Sequence, residues 1–242
     1  YVDELSPVFS GKDIYIVAAG PSLDKNIELL KKKPHNSVIL AVGTVGKKLE
    51  NMGIDIDYMI VSDANRRVIG QIIGMKNNHT PMLILSTAYR EFAQRNHGEH
   101  YLICQQDFKD AEEYAKKNGW NLYKTGGSVT TIALDVSIRL GAGRVILLGV
   151  DLAYTNNLAH ATGTSRREHN GTEGLVAVKA IDGKRVYASK LFVMYREWIE
   201  NRIAEAKNVE IIDATEGGAL IKGTRIAALE EIIKEASIKN ID

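Results

Sequence analysis

The stretch Ile14-Tyr15-Ile16-Val17-Ala18-Ala19-Gly20-Pro21-Ser22-Leu23 decides the fold class. An unbroken apolar, β-favouring run ends in a turn of small residues, and a helical pattern over residues 23–33 follows at once. Consecutive rather than alternating apolar residues mark a strand covered on both faces, as in the interior of a parallel sheet. Gly20 lets another group approach the backbone closely, and Pro21 suits a first helical turn, where its missing N–H costs nothing. Ser22 can cap the helix or offer its hydroxyl to a ligand oxygen. The turn is neither GxGxxG nor GxxxxGK[ST]. Two readings therefore stand: a phosphate-binding strand–turn–helix, or an ordinary helix start.

Working outward, further strand-like runs occupy residues 38–42, 58–62, 81–86, 101–104, 144–149 and 209–214. Helical patterns fall at 46–52, 66–75, 110–118, 128–140, 190–207 and 224–239. In the last of these, Leu229, Ile232 and Ile233 share a face, with charges opposite. Strand and helix in alternation predict an α/β, Rossmann-like, doubly wound and mostly parallel sheet with helices on both faces. The chain reads as one domain over residues 1–242, interrupted by a long polar, lid-like loop at 155–175. It opens on Tyr1 rather than Met, which fits a domain excised from a longer protein.

Bulk properties narrow the class. The 242 residues are 45% hydrophobic and 25% charged, with a formal net charge of +1, so no overall field favours nucleic acid. The single cysteine, Cys104, cannot form an internal disulfide and sits in an apolar run, as a small buried hydrophobe does. No apolar run is long enough to span a bilayer and none resembles a signal peptide, so the expected location is the cytoplasm.

Polar groups recur at the carboxyl ends of the predicted strands, the edge where α/β sheets bind ligands. They are Gly20-Pro21-Ser22, then Gly43-Thr44, then Ser62-Asp63-Ala64-Asn65 followed by Arg66 and Arg67, and then Gly149-Val150-Asp151-Leu152-Ala153-Tyr154. Thr125-Gly126-Gly127-Ser128 adds a second Gly-bearing helix start with fresh N–H groups. Two such turns with Asp63 and Asp151 on one edge predict a phosphorylated, sugar-bearing ligand such as a nucleotide. Asp55-Ile56-Asp57 resembles a metal-binding DxD, but it precedes its strand and so belongs to the amino edge, where a structural role is expected. No Cys/His cluster has zinc spacing, and no serine lies in a GxSxG context. His35, His79, His97 and His100 lie in polar connections. His160 and His169 lie in the long loop, as solvated histidines or as a base near neutral pH.

Four strings taken together extend the reading. They are Gly20-Pro21-Ser22-Leu23, Thr125-Gly126-Gly127-Ser128-Val129, Leu148-Gly149-Val150-Asp151-Leu152-Ala153-Tyr154 followed by His160-Ala161-Thr162-Gly163, and the 213–224 string beginning Asp213-Ala214-Thr215-Glu216-Gly217-Gly218. In this order they resemble the central domain of the motility-associated factor (Maf) proteins, the flagellin glycosyltransferases, which is itself similar to bacterial sialyltransferases. The resemblance runs from Gly11 to about Lys234. It implies a glycosyltransferase moving a nonulosonic, sialic-like acid from a CMP-sugar donor to Ser or Thr hydroxyls of flagellin, without a metal or other cofactor. Gly20, Pro21 and Ser22 then receive the donor nucleotide. Gly43, Thr44, Ser62 and Asp63 lie near ribose and base, and Thr125, Gly126, Gly127 and Ser128 face the cytidine nucleotide. Asp151 and Tyr154 stand beside the transferred sugar, and His160 matches the histidine of a His-Ala-x-Gly string. Arg166 or Arg167 can pair with the sugar carboxylate. The related sialyltransferases carry a histidine base just before the helix that here begins near Lys190; the stretch 185–190 has none. Tyr187, His160 and Asp151 are the candidates to replace it, and the role of Thr215-Glu216-Gly217-Gly218 stays open between function and close packing. Two other readings remain: pyrophosphoryl transfer from ATP with a metal on Asp63 and Asp151, as in 6-hydroxymethylpterin diphosphokinases, and a nucleotide-binding module without catalysis.

Overall fold

A computed structural model describes residues 1–155, 158–164 and 172–239. The strands are β1 (Asp13–Val17), β2 (Ser37–Val42), β3 (Tyr58–Val61), β4 (Met82–Leu85), β5 (His100–Ile103), β6 (Arg144–Leu148), β7 (Val176–Lys179), β8 (Arg185–Ala188), β9 (Glu210–Asp213) and β10 (Arg225–Ile226). The α-helices are α1 (Ser6–Phe9), α2 (Leu23–Asn26), α3 (Gly46–Asn51), α4 (Glu91–Arg95), α5 (Lys109–Asn118), α6 (Val129–Arg139), α7 (Lys190–Glu205) and α8 (Leu229–Lys239). Eight strands form one sheet in the order β10-β9-β6-β1-β2-β3-β4-β5, parallel at every pairing.

Chain order runs outward from β1 in one direction through β5 and in the other through β6, β9 and β10. The reversal falls between β1 and β6, in register from Asp13↔Arg144 to Val17↔Leu148. This is the switch point at which a doubly wound sheet opens a crevice at its carboxyl edge. The double burial expected of β1 is met residue by residue. Ile14, Ile16 and Ala18 enter the core shared with α6 and α7, while Tyr15, Val17 and Ala19 enter the core under α8. Val145 and Leu147 of β6 divide from Ile146 and Leu148 in the same way.

Three sequence expectations are corrected. The helix expected at 23–33 is one α-turn, α2, followed by 3-10 turns over Ile27–Lys32; the break falls at buried Asn26, whose φ of -131° leaves the helical region and whose amide donates to the Ala214 carbonyl at 2.9 Å. The helix expected at 66–75 is a 3-10 segment, Arg66–Gln71. The last helix starts at Leu229, because Arg225 and Ile226 pair with β9 instead. The sequence reading also left out the β7–β8 antiparallel hairpin, whose solvent-facing residues carry no core signal. Asp57 caps the amino edge, accepting the Ile39 N–H at 2.7 Å, the structural role expected of that DxD. Cys104 is buried, which pushes its thiol pKa up. No helix among the described residues is long and apolar enough to cross a membrane.

Candidate nucleotide site at the switch point

The Gly20 turn and the end of β6 are built into each other. Gly20 N–H donates to the Gly149 carbonyl at 2.8 Å, and a Cβ on Gly20 would fall on that carbonyl and on Asp151 Oδ2. Ser22 is buried and turned inward. Its hydroxyl donates to Asp151 Oδ2 at 2.7 Å, and its N–H points at both carboxylate oxygens at 3.2 and 3.3 Å. Ser22 therefore spends its donors on Asp151 rather than offering them to a ligand, and α2 is too short to present a strong dipole. What the turn contributes to the pocket is the backbone of Ala19 and Gly20 in its lining.

Asp151 is a buried anchor. Burial pushes its carboxyl up to about 6, against the pull of the hydrogen bonds from Ser22 and Thr155 and with the help of neighbouring Asp213. The string Thr215-Glu216-Gly217-Gly218 explains itself here: Gly218, at φ +80°, lets the chain cross the Asp151 backbone where any Cβ would collide, and Ala219 N–H donates to the Asp151 carbonyl at 2.8 Å. Its role is to clasp the end of β6. Asp213, at the end of β9, is likewise pushed up to about 6 by burial. Its Oδ1 accepts the Thr215 N–H at 3.0 Å, and the buried Thr215 hydroxyl lies beside the same carboxyl.

A raised carboxyl pKa binds protons in the folded state that the unfolded chain has released, so stability falls as pH climbs from about 4 through about 6. Asp213→Asn removes that ionisation and lets an amide face the Thr215 hydroxyl. The variant should gain on the parent by roughly 2 kcal/mol between pH 4 and pH 7.5, read by urea unfolding at each pH. A difference that is flat with pH would refute it.

The second helix start has a different economy. Ser128 caps α6, accepting the Thr131 N–H at 3.3 Å, and Thr131 Oγ1 accepts the N–H groups of Gly126 and Ser128. Thr125 Oγ1 takes the Gly127 N–H. The N–H groups of Gly126, Gly127 and Ser128 are thus consumed internally, and among the described residues those of Val129 and Thr130 in the first turn are left over.

These elements close a pocket of about 190 Å³ whose lining includes Gly20, Ser128, Val129, Thr130, Asp151 and His160. Through Thr44 and His160 it meets a polar groove of about 580 Å³ carrying Lys47, Asp63, Arg67 and Gln71. His160 is set by its neighbours: buried Ala161 donates its N–H to the Ala19 carbonyl at 2.7 Å, and Thr162 bonds Asp24 through N–H and hydroxyl. The described part of the long loop is thus pinned to the switch point, while Arg166, Arg167 and His169 lie outside the described residues.

Other sequence candidates are placed less centrally. Gly43 opens a 3-10 turn, and Gln71 Nε2 donates to Thr44 Oγ1 at 3.2 Å. Ser62 is half-buried after β3, and exposed Asp63 accepts the Asn65 N–H at 2.8 Å. The Tyr154 ring packs on Phe192, which lines the inner pocket, with centroids 5.4 Å apart, and Tyr187 follows on β8. The two tyrosines bridge each other through backbone and line a separate cavity of about 540 Å³ beside Lys25 and Gly217. The sequence reading missed Phe192 and Tyr195 of α7, which line the inner pocket; their signal was an aromatic every third residue, continued by Trp198.

A family model described as 6-hydroxymethylpterin diphosphokinase MptE-like matches residues 1–157. The chain belongs to the MptE-like family. That match covers β1 to β6, the Gly20 turn and the start of α6, while His160 and the α7 side of the pocket lie beyond it. Among solved structures, the MptE-like chain is similar to the Maf glycosyltransferase from Magnetospirillum magneticum AMB-1, with a TM-score of 0.75 at 15% identity. The likeness covers 99% of this chain and 41% of that one, so this chain spans under half of that protein's length. At this identity the likeness establishes a shared fold. No curated protein matches the chain.

Proposed function

We propose that this chain transfers a nonulosonic acid from a CMP-sugar to a protein hydroxyl, with Ser or Thr of flagellin as acceptor. The observation that carries the reading is the paired pocket and groove at the switch point. A small inner pocket holds bare backbone and the start of α6, and a larger polar groove shares Thr44 and His160 with it. In this scheme the phosphate sits by the Val129 and Thr130 N–H groups, where the positive end of α6 favours an anion. The bond from the sugar carbon to the phosphate oxygen breaks with its electron pair leaving on CMP. The acceptor oxygen bonds to that carbon, and its proton passes to the His160 imidazole. The phosphate charge is met by chain N–H groups in this scheme, which asks for no metal.

The family description favours a second reading, pyrophosphoryl transfer from ATP to a pterin. The acids that would hold its metal do not fit. Both Asp151 oxygens are engaged by Ser22, and Asp63 lines the outer groove while Asp151 lines the inner pocket. Among the described residues no three His, Cys, Asp or Glu side chains group to hold a metal.

The test is a thermal-shift panel of CMP, CDP, UDP, GDP and ATP with and without Mg²⁺, followed by transfer assays on the wild type and His160→Ala. CMP should raise the melting temperature without Mg²⁺, as mass action requires of a ligand of the folded state. Loss of the base should slow transfer by about 100-fold or more. Stabilisation by ATP with Mg²⁺ alone would transfer the case to the diphosphokinase reading; CMP binding with no transfer would leave a binding module.

A further inference from the structure

Helix α7 carries Phe192, Tyr195 and Trp198 at three-residue spacing, so they share a face. Trp198 covers Gly126: a Cβ there would lie 2.5 Å from its Cγ. The Tyr195 ring comes to 3.3 Å from the Cβ position of Gly127. Tyr195 thus overhangs the turn that leads into α6 and lines the inner pocket with Val129 and Thr130. Its ring is half-buried, yet among the described residues its hydroxyl has no hydrogen-bond partner. A phenol on the pocket lining without such a partner has its O–H free to donate into that pocket. Burial, and then the Asp63 carboxylate, raise its pKa, so it keeps its proton.

We infer that Tyr195 donates its hydroxyl hydrogen bond to a phosphoryl oxygen of the nucleotide in the inner pocket. The inference rests on reading the pocket as a nucleotide site. It supplies a neutral donor beside the α6 N–H groups at the point where charge builds as the nucleotide leaves. No proton is transferred: Tyr195 stabilises the phosphoryl charge and keeps its hydrogen.

The test compares CMP with cytidine by titration calorimetry on the full chain, in wild type and Tyr195→Phe. The phenyl ring preserves the packing on Gly127, so the melting temperature of the free protein should not change. Wild type should prefer CMP to cytidine. Tyr195→Phe should lose about 10- to 100-fold of that preference, the range for one hydrogen bond to a charged group, with cytidine affinity unchanged. If ATP binds and CMP does not, the cytidine reading fails by itself, and ATP against adenosine makes the same comparison. An unchanged nucleotide-to-nucleoside ratio in Tyr195→Phe overturns the inference, as does a wild type that shows no preference for a nucleotide over its nucleoside.

Discussion

Gly20→Ala should cost at least about 3 kcal/mol of folding stability and abolish nucleotide binding. Alanine is ordinarily a mild replacement. Here the new methyl would meet the Gly149 carbonyl and the Asp151 carboxylate, neither of which can retreat. The carbonyl is held by the Gly20 N–H itself, and the carboxylate by Ser22 and Thr155. Relief would require β1 and β6 to separate at their carboxyl ends, which opens the crevice floor. Chemical denaturation gives the stability, and CMP-induced shift of the melting temperature gives the binding. A variant within about 1 kcal/mol of wild type would show that the turn has slack and that its glycine is not a packing requirement.

Arg202→Met should be as severe, for an electrostatic reason. Arg202 Nε meets Asp135 Oδ1 at 2.5 Å, and Asp135 is fully buried in α6. Oδ2 of the same carboxylate accepts the Lys124 N–H at 2.8 Å, just ahead of the glycine turn. The pair therefore ties α7, which carries Tyr195 and Trp198, to both α6 and the turn. Methionine fills the volume of the stem but leaves a buried carboxylate without its cation, a loss of about 3–5 kcal/mol. Adding Asp135→Leu removes the stranded charge and should recover part of it; additive losses in the double variant would mean the two residues act separately. Nucleotide affinity should fall with the single variant, because the α7 wall of the pocket loses its anchor.

Both predictions turn on contacts between segments distant in sequence, which marks the limit of what the chain reveals by itself. Seven of the eight strands of the parallel sheet were legible because each is a short apolar run bounded by turn residues, and two-sided burial needs no partner to be recognised; the two-residue β10 carries no such run. The carboxyl-edge location of the site followed from that order, as did the amino-edge placement of the Asp57 pair. His160 and Thr44 were named from loop position, and they are the residues shared by pocket and groove. Ser22 and Tyr187 illustrate the opposite case. Each has suitable chemistry, yet Ser22 is spent on an aspartate 129 residues away, and Tyr187 faces another cavity.

The sequence by itself determined most element types, the parallel doubly wound class and the sheet edge at which the candidate pocket lies, because these depend on local apolar pattern and turn chemistry. Only the tertiary structure decided which donors are already consumed, why Gly218 must cross Asp151, and that α7 lays Tyr195 over the start of α6. Those are questions of hydrogen-bond accounting and close approach, and they have no answer until residues from opposite ends of the chain share one volume.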